Sequence, residues 1–519
     1  MDAERIHERR WVSLGVLSLS LLIIGLDNTI LNVALPTLVR ELGATASELQ
    51  WMVDAYVLVF AGLLLTMGAL GDRFGRKLAL NAGLLIFGAA SIFAAFAGSS
   101  TALIAARALM GVGGALIMPA TLSIITNIFT GRERGRAIAI WAAVAGLGIV
   151  IGPTLGGWLL QNFWWGSIFI VNVFVVAAAL FLGFFFVPES KDPNVTPLDP
   201  VGAVLSIGGL GALVYAIIEA PSRGWTDAVV LGMFGLSVVL LGAFFWWERR
   251  TKYPMLRLEF FKNPRFSAAS GAIFLVFFAL FGTVFLLTQY LQFVLGFTPL
   301  EAGVRLLPLA TIVIAAPLSA RLVEKIGSKI VVASGLGIVA LAMGWLALVD
   351  IDSGYSHVAW TLAVLGIGMG LVMAPATESI MGSLPLSKAG VGSAMNDTTR
   401  QVGGALGVAI LGSILASSYG SAMEPLLSTL PAEAAAVAGD SIGGALAVAS
   451  RIGDAGAPLI AAANEAFIGG MSASVWVAAG VALAGAVVAA LFLPARELDP
   501  SDNPAMSDDG DTETKAVES

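Results

Sequence analysis

The sequence contains no cysteine, only two histidines and few charged residues, and each scarcity excludes a class of protein. Without cysteine, the chain cannot form a disulfide bond, a thiol nucleophile or a thiolate metal site. With only His7 and His357, it has almost no material for a histidine metal centre or a catalytic dyad. Charged residues make up 12% of the 519 residues, whereas water-soluble domains carry about 25%, so a hydrated surface cannot cover this chain.

Long apolar blocks dominate the sequence instead. Hydrophobic residues make up 57% of it, and the mean hydropathy is +0.89. The blocks are roughly 20 residues long, the length of helix that crosses a bilayer core of about 30 Å. The alternating segments of about ten residues that mark a transmembrane β-barrel do not occur. The sequence therefore predicts an all-α polytopic membrane protein whose fourteen transmembrane helices lie near residues 11–35, 50–70, 78–98, 102–126, 137–161, 167–187, 200–219, 228–247, 266–292, 303–323, 330–349, 357–381, 392–417 and 472–493.

Basic residues set the predicted orientation, because loops rich in lysine and arginine stay in the cytoplasm. They cluster before the first helix and after even-numbered helices, at Arg5, Arg9, Arg10, Arg73, Arg76, Lys77, Arg132, Arg134, Arg136, Arg249, Arg250, Lys252, Arg257, Lys262, Arg265, Lys325, Lys329 and Lys388. We therefore expect a multi-pass protein of the cell (inner) membrane with both termini in the cytoplasm.

Two segments of the first half are echoed in the second half. Residues 320–329 resemble 68–77, and 375–380 resemble 119–124, at offsets of 252 and 256 residues. An even number of predicted helices separates the copies, so the pattern indicates two parallel six-helix bundles with two inserted helices. The predicted domains are the cytoplasmic N-terminus 1–10, the N-terminal bundle 11–190, inserted helices seven and eight in 191–250, the C-terminal bundle 251–493 and a disordered acidic cytoplasmic tail, 494–519.

Residues 418–471 of the C-terminal bundle form a long external loop. The loop is rich in alanine and glycine but carries too many charges to span a bilayer. The sequence leaves two interpretations open, a partly helical surface cap or flap and a flexible linker.

Asp27 is the only charged residue between Trp11 and Leu35. A carboxylate in such a stretch costs several kcal/mol unless it is paired, hydrated or protonated. Arg107, on predicted helix four, lies at a comparable depth in the outer half of the membrane, so an ion pair between the two is geometrically possible, and Asp54 could join it. A carboxylate whose access to water changes can carry a proton. We predict proton coupling or cation binding at these residues. The alternatives are a static buried pair and, for Asp54, an interfacial carboxylate at the start of a helix.

Four motifs together resemble one known family. The run from Leu26 to Pro36 is similar to the first-helix signature of the fourteen-helix drug:proton antiporters, a branch of the major facilitator superfamily that includes multidrug and quaternary ammonium exporters. Residues 68–77 resemble the superfamily's loop motif, 103–111 its helix-four arginine motif and 148–157 its antiporter motif. The resemblance implies the major facilitator fold. One departure is the segment 165–174, which lacks the arginine and proline common in the family, although its glycine resembles the quaternary ammonium subgroup.

The resemblance also implies roles for two motifs. The loop motif would form an inner gate in which a carboxylate bonds the start of a helix in the other bundle; its residues are Gly68, Asp72, Arg73, Gly75, Arg76 and Lys77. The antiporter motif would pack tightly and prevent leakage during exchange; its residues are Gly148, Gly152, Pro153, Gly156 and Gly157. The plainer alternatives are that the first sets topology by its positive charge and that the second is ordinary glycine packing.

Two acids in the second half are further candidates for binding a cation or a proton. Asp397 resembles an acidic residue of the exporters of cationic drugs, but Arg400 lies one turn away, so a local pair is equally compatible with the sequence. Glu378 is near the inner end of predicted helix twelve, where it can also extend to cytoplasmic water. Aromatic residues on predicted helix nine, including Phe277 and Phe281, suit hydrophobic cations but also fit a lipid-facing stripe.

These features predict a proton-coupled multidrug efflux transporter rather than an enzyme. The chain has no nucleotide-binding loop of the Gly-x-x-x-x-Gly-Lys-Ser/Thr type, so an ion gradient must supply the energy. We expect small amphipathic, cationic drugs, protons and the lipid bilayer as partners, with no cofactor, no metal and no nucleic acid, and a monomer. The alternatives are a same-fold exporter of one endogenous metabolite, lipid or self-made antibiotic, and a non-transporting membrane sensor.

Overall fold

The structure is a computed structural model that describes residues 3–129, 131–191, 199–383 and 389–493. The predicted tail 494–519 and Lys388 lie outside the described residues. The described ranges are helical almost throughout and contain no β-strand. The α-helices are α1 (Ala3–Leu42), α2 (Ala46–Phe74), α3 (Arg76–Ala95), α4 (Ser100–Ile128), α5 (Gly131–Asn162), α6 (Ser167–Phe186), α7 (Pro200–Arg223), α8 (Ala228–Arg250), α9 (Pro264–Gln289), α10 (Pro299–Arg305), α11 (Thr311–Ile326), α12 (Ser328–Leu346), α13 (Tyr355–Gly382), α14 (Ala389–Leu427), α15 (Ala432–Asp440), α16 (Ile442–Ile452) and α17 (Ala457–Phe492).

Thirteen helical stretches among the described residues are long and apolar enough to cross a membrane. The remaining predicted span, 137–161, lies in α5, which is a continuous helix of 32 residues but is not one of the thirteen. Several helices extend well beyond their predicted spans. The first, for example, is 40 residues long. It includes the mostly polar residues 3–10, which precede its apolar stretch.

Short polar side chains begin the helices, and glycines separate them. Thr45 accepts from the backbone N–H of Glu48, whose side chain bonds back to Thr45, so a capping box starts α2. Gly75 has φ +127° between α2 and α3, and Gly327 has φ +83° between α11 and α12. These left-handed conformations favour glycine. Both glycines lie in the segments that the sequence repeats.

The helices pack as two groups joined by an inserted pair. Helices α1 to α6 pack together, as do α9, α11 to α14 and α17, while the short α10 packs mainly on α5 of the first group. The inserted helices α7 and α8 pack on each other, and α7 also packs on α2 and α14. The hydroxyl of Ser413 on α14 donates to the carbonyl of Ile217 on α7 at 2.8 Å. The inserted pair therefore lies beside the seam between the two groups.

The loop predicted at 418–471 is helical, and the linker interpretation is wrong. It comprises the end of α14, all of α15 and α16, and the first turns of α17. The carboxylate of Asp440 accepts from the backbone N–H of Ala46 at 2.9 Å, which ties α15 to the start of α2. Gly443 on α16 lies close to Val39 and Phe293. The segment therefore caps both bundles at the end of the molecule where α1 finishes, which we call the distal end.

Several close contacts join the bundles near this distal end. The side-chain amide of Gln292 donates to the carbonyl of Val33 on α1 at 2.9 Å. A Cβ added to Gly412 on α14 would lie 2.8 Å from the side chain of Gln50 on α2. Nearer the opposite, proximal end, a cavity of about 390 Å³ separates residues of α2 from residues of α9 and α14. The bundles are thus closely joined distally and spaced apart proximally along the seam beside α7.

Candidate functional site

The centre of the N-terminal bundle holds a buried ion pair between α1 and α4. A guanidinium nitrogen of Arg107 donates to the carboxylate of Asp27. Asp27 is 0% exposed and Arg107 is 1% exposed. The predicted pairing of these two residues is present in the structure. Charges this deeply buried are stable only when they are paired and hydrogen-bonded.

Three neighbouring residues contact the two charged side chains. The side-chain amide of Asn172 on α6 donates to the second carboxylate oxygen of Asp27 at 3.3 Å. The Nε of Arg107 donates to the carbonyl of Met52 on α2 at 2.9 Å. The guanidinium also lies 4.4 Å from the ring centroid of Tyr56, a cation–π geometry. Four helices therefore meet at this site.

Sequence reasoning did not identify Asn172 or Tyr56 as part of the site. A signal for Asn172 was available, because it is the only amide or charged side chain in α6, which is otherwise almost wholly apolar. Tyr56 gave no such signal, because its position beneath Arg107 depends on how α2 and α4 are rotated against each other.

The antiporter-motif glycines place α5 against the turn of α1 that carries Asp27. A Cβ on Gly148 would lie 3.0 Å from backbone atoms of Gly25 and Leu26. Gly152 and Gly156 repeat this close approach one and two turns further along, against Thr29 and Ile30. The glycines thus allow α5 to lie backbone to backbone with α1, and this packing fixes the position of the turn that carries the carboxylate.

The other two residues of this motif reach the second bundle. A Cβ on Gly157 would contact the carbonyl of Pro299 and lie 2.5 Å from the Cα of Leu300, both on α10. A Cβ on Gly303 of α10 would contact the carbonyl of Pro153 in the same way. One helix therefore touches both the Asp27 turn of α1 and the opposite bundle, which gives α5 a direct mechanical connection between them.

Asp54 does not join the ion pair. Its side chain is 0% exposed, and neither carboxylate oxygen has a hydrogen-bond partner within the described ranges. The alternative of an interfacial carboxylate at the start of α2 stays a prediction, and the side chain there is fully enclosed by protein. A buried carboxylate without partners is costly, and this makes Asp54 a candidate for protonation or for binding a cation.

The loop motif contacts other parts of the N-terminal bundle. The Nε of Arg76 donates to the carboxylate of Asp72 at 2.7 Å, and its guanidinium also donates to the carbonyl of Ser123 at 3.4 Å. The ammonium of Lys77 donates to the carbonyl of Phe184 at 3.1 Å.

The remaining residues of that motif shape the turn. Arg73 lies over the ring of Phe74 at 5.5 Å, and Gly75 separates α2 from α3. Gly68 packs on Pro119 of α4, where an added Cβ would lie 3.2 Å from the proline Cβ. Asp72 is bonded to Arg76 here, rather than in the expected contact with the other bundle. The gate role that the resemblance implies stays a prediction.

The two acids of the second half lie in unlike environments. Asp397 on α14 is 8% exposed and lies 3.7 Å from the guanidinium of Arg400. This pair is local, as one interpretation held; Asp397 is buried, whereas the side chain of Arg400 is 27% exposed. Glu378 is exposed near the C-terminal end of α13. Neither residue belongs to the Asp27 cluster.

A cavity of about 150 Å³ lies between the two bundles beside the Asp27 turn. Thr29 and Asn32 line it from α1, and Phe277 and Phe281 line it from α9. These two phenylalanines are only 7% and 9% exposed, so the lipid-facing interpretation is wrong for them. A buried oxygen of Asn32 has no hydrogen-bond partner among the described residues. The cavity therefore offers apolar and aromatic walls with a few polar groups on one side.

The fold and this buried charge pair define a polytopic helical transporter. Residues 17–408 match the family model of the Major Facilitator Superfamily. The chain belongs to that superfamily, and the predicted resemblance to its fourteen-helix drug:proton antiporters is confirmed.

Several relatives resemble the chain over nearly its whole length. The multidrug efflux pump LfrA of Mycolicibacterium smegmatis is 38% identical, over 93% of this chain and 96% of the relative. The tetracenomycin C resistance and export protein of Streptomyces glaucescens is 32% identical, over 96% and 94%. The methyl viologen resistance protein SmvA of Salmonella typhimurium is 34% identical, over 89% and 93%.

Solved structures support the fold. A bacterial homolog of the human lysosomal transporter Spinster, in an inward-facing and unoccupied conformation, superposes with a TM-score of 0.66 at 20% identity. The match covers 94% of this chain and 99% of that one. At this identity the likeness establishes the architecture alone.

Proposed function

We propose that this protein is a drug efflux transporter that exports amphipathic cationic compounds across the cell membrane in exchange for protons. The observation on which the proposal rests is the fully buried Asp27–Arg107 pair. Asp27 lies on α1, the helix that borders the cavity between the bundles. An intramembrane carboxylate at such a place is a natural proton or cation site.

The surroundings of the pair leave Arg107 with other polar and aromatic contacts when the pair opens. If Asp27 takes up a proton, Arg107 keeps its hydrogen bond to the Met52 carbonyl and its contact with the Tyr56 ring. The protonated carboxyl group would remain next to the amide of Asn172. Protonation therefore weakens the link between α1 and α4 while each polar group retains a partner.

Protonation of Asp27 would be coupled to movement of the bundles through α5. Its glycines contact the Asp27 turn of α1, and Gly157 and Pro153 contact α10 in the second bundle. A shift of α1 against α4 is thus transmitted to the distal contact between the bundles. Exchange would follow when this contact opens to admit a proton and release the drug.

The orientation supports an inward-facing state. Loops rich in lysine and arginine favour the cytoplasmic side for the proximal end, and the bundles are close together at the distal end. A drug in the cytoplasm or inner leaflet would then reach the cavity between them. The names of the relatives mention methyl viologen, a dication, and tetracenomycin C resistance and export.

The cavity walls suit substrates of this class. Phe277 and Phe281 supply aromatic faces for a hydrophobic cation, while Thr29 and the unpartnered oxygen of Asn32 supply polar contacts. Two further carboxylates are proposed as secondary cation or proton sites, the unpartnered Asp54 and the Arg400-paired Asp397.

Ethidium uptake into inverted membrane vesicles under an imposed pH gradient tests the proposal. We expect wild-type vesicles to accumulate ethidium when the interior is acidic, and expect no accumulation after the gradient is collapsed. An exporter of one endogenous compound would instead not transport ethidium. Its expression in an efflux-deleted host would leave the susceptibility to a broad panel of drugs unchanged. A non-transporting sensor would show no substrate-dependent pH change in proteoliposomes.

A further inference from the structure

A second cavity, of about 390 Å³, lies away from the Asp27 site and beside the inserted helices. Its walls come from α2, α7, α8, α9 and α14, and from the chain that joins α8 to α9. They include four phenylalanines, listed as Phe244, Phe245, Phe261 and Phe274. The surface of the cavity is mainly apolar, although the hydroxyl residues Ser206, Ser267, Ser270, Thr398 and Thr399 also line it, and a surface of this kind accepts hydrocarbon.

A basic segment borders this cavity. We call residues 249–262, which lead from the end of α8 towards α9, the basic connector. Its own surface lines a polar cavity of about 690 Å³, to which four cationic side chains contribute: Arg249, Lys252, Arg257 and Lys262. Phe261 lines both cavities, so the apolar and the basic cavity adjoin at that ring.

The four cationic groups are not neutralised by ion pairs. Among the residues that the structure describes, no salt bridge involves any of the four. Two carboxylates also line the basic cavity, which leaves an excess of two positive charges. One of them, Glu248, is 4% exposed and accepts from the backbone N–H of Leu256 at 2.9 Å. Its role is to hold the connector rather than to pair with the four cations.

Internal bonds hold the basic connector in place. Besides the Glu248–Leu256 bond, the hydroxyl of Thr66 on α2 lies 3.5 Å from the sulfur of Met255. Residues Leu258–Lys262 form a 3₁₀ turn. Trp246, which is 56% exposed, stands one turn before the end of α8, and exposed tryptophans of this kind mark the edge of the bilayer. The cationic groups are therefore presented at the depth of lipid headgroups.

We propose that this pair of adjoining cavities binds an anionic phospholipid. The phosphate would lie on the basic connector, and an acyl chain would pass Phe261 into the apolar cavity. Cationic pockets between transmembrane helices attract anionic headgroups, and the apolar cavity supplies the chain with a hydrocarbon environment. Because the cavity separates α2 from α9 and α14, a bound lipid stabilises the arrangement in which the bundles are spaced apart proximally.

Lipid titration of the purified full-length protein in detergent tests the proposal. Phosphatidylglycerol, phosphatidylcholine with the same acyl chains, and soluble glycerol phosphate are compared by native mass spectrometry and by thermal unfolding. We expect phosphatidylglycerol to be retained and to raise the melting temperature, and the other two to have little effect. Equal retention of phosphatidylcholine, or an equal shift with glycerol phosphate, would overturn the assignment to an anionic lipid.

Two variants with matched controls locate the site. Arg257→Gln with Lys262→Gln should weaken phosphatidylglycerol binding about 25-fold, since each basic residue near a membrane surface contributes about fivefold. Lys325→Gln with Lys329→Gln removes the same charge from another proximal loop and should leave binding unchanged. If both double variants bind like the wild type, the basic connector is not the headgroup site.

The apolar half is tested by filling it. A Cβ on Gly271 has no atom within 4 Å, and Gly271 lines the apolar cavity, so the side chain of Gly271→Leu would start in open space at the cavity wall. We expect this variant to lose phosphatidylglycerol retention. Gly337→Leu, where a Cβ is equally free, should retain it. The proposal would be overturned if Gly271→Leu bound phosphatidylglycerol as strongly as the wild type. It would also be overturned if ethidium, rather than the lipid, occupied this cavity.

Discussion

Arg107 on α4 binds the carboxylate of Asp27 on α1 although neither side chain is accessible to solvent. The pair forms across 80 residues of sequence and within a network that also includes α2 and α6. Its partners are therefore held by four helices, and its rupture is a change in how those helices contact one another.

Removing the arginine should be strongly destabilising. Arg107→Ala leaves the Asp27 carboxylate buried without its charge partner, and loss of one member of a buried pair costs about 3–5 kcal/mol. Thermal unfolding of the purified protein in detergent measures the loss. Arg40→Ala, at an exposed arginine near the end of α1, is the control and should unfold like the wild type. An unchanged melting temperature for Arg107→Ala would contradict a structural role for the pair.

The same substitution at two aspartates should have different effects on stability. Asp54→Asn replaces a buried carboxylate that has no hydrogen-bond partner among the described residues, so it should raise the melting temperature or leave it unchanged. Asp27→Asn removes the charge that Arg107 requires and should lower it. The two variants are compared in one unfolding assay. A larger loss for Asp54→Asn than for Asp27→Asn would show that Asp54 has a partner that this structure lacks.

The contact between α5 and α10 should control access from the distal side. Gly157→Ala places a methyl group against the carbonyl of Pro299 and 2.5 Å from the Cα of Leu300, so the bundles must separate there. Because the chain has no cysteine, a single Thr29→Cys substitution can report on the cavity by its rate of reaction with an impermeant maleimide in intact cells. We expect faster labelling in the Gly157→Ala background.

Gly15→Ala is the matched control for that experiment, because a Cβ there has no atom within 4 Å. It should label at the parental rate. Equal rates in both alanine variants would mean that the α5–α10 contact does not limit distal access.

The stability of the helical cap should depend on pH because of Asp440, whose carboxylate bonds α15 to α2. Burial raises the pKa of the Asp440 carboxyl group, although its bond to the Ala46 N–H acts in the opposite direction. An acid with a raised pKa binds more protons in the folded than in the unfolded state. Its contribution to stability therefore falls as pH rises from about 4, the ordinary value for aspartate, through the raised value.

Asp440→Asn removes this titration and keeps an oxygen that accepts the Ala46 N–H. At neutral pH the variant should unfold at a higher temperature than the wild type, and the difference should vanish below about pH 4. The exposed Asp454→Asn provides the control. A variant that is less stable than the wild type at neutral pH would show that the charged bond outweighs the cost of burial.

Sequence reasoning captured the features that depend on composition and depth along a helix. The pairing of Asp27 with Arg107 was recognised as geometrically possible because both residues lie at a comparable depth in helices of opposite direction. Features that depend on helix rotation were missed, namely the contacts of Asn172 and Tyr56 and the isolation of Asp54. The helical cap at 418–471 was left open because its charges excluded a span without indicating what the segment packs against.

Proton release from reconstituted protein tests the central claim most directly. Wild-type protein, Asp27→Asn and Asp27→Glu are placed in proteoliposomes with a pH-sensitive dye, and a cationic drug is added. We predict drug-dependent proton movement for the wild type, none for Asp27→Asn at matched reconstitution, and partial recovery for Asp27→Glu, which restores a titratable group. Full drug-dependent proton flux in the Asp27→Asn variant would contradict the assignment of proton exchange to this buried carboxylate.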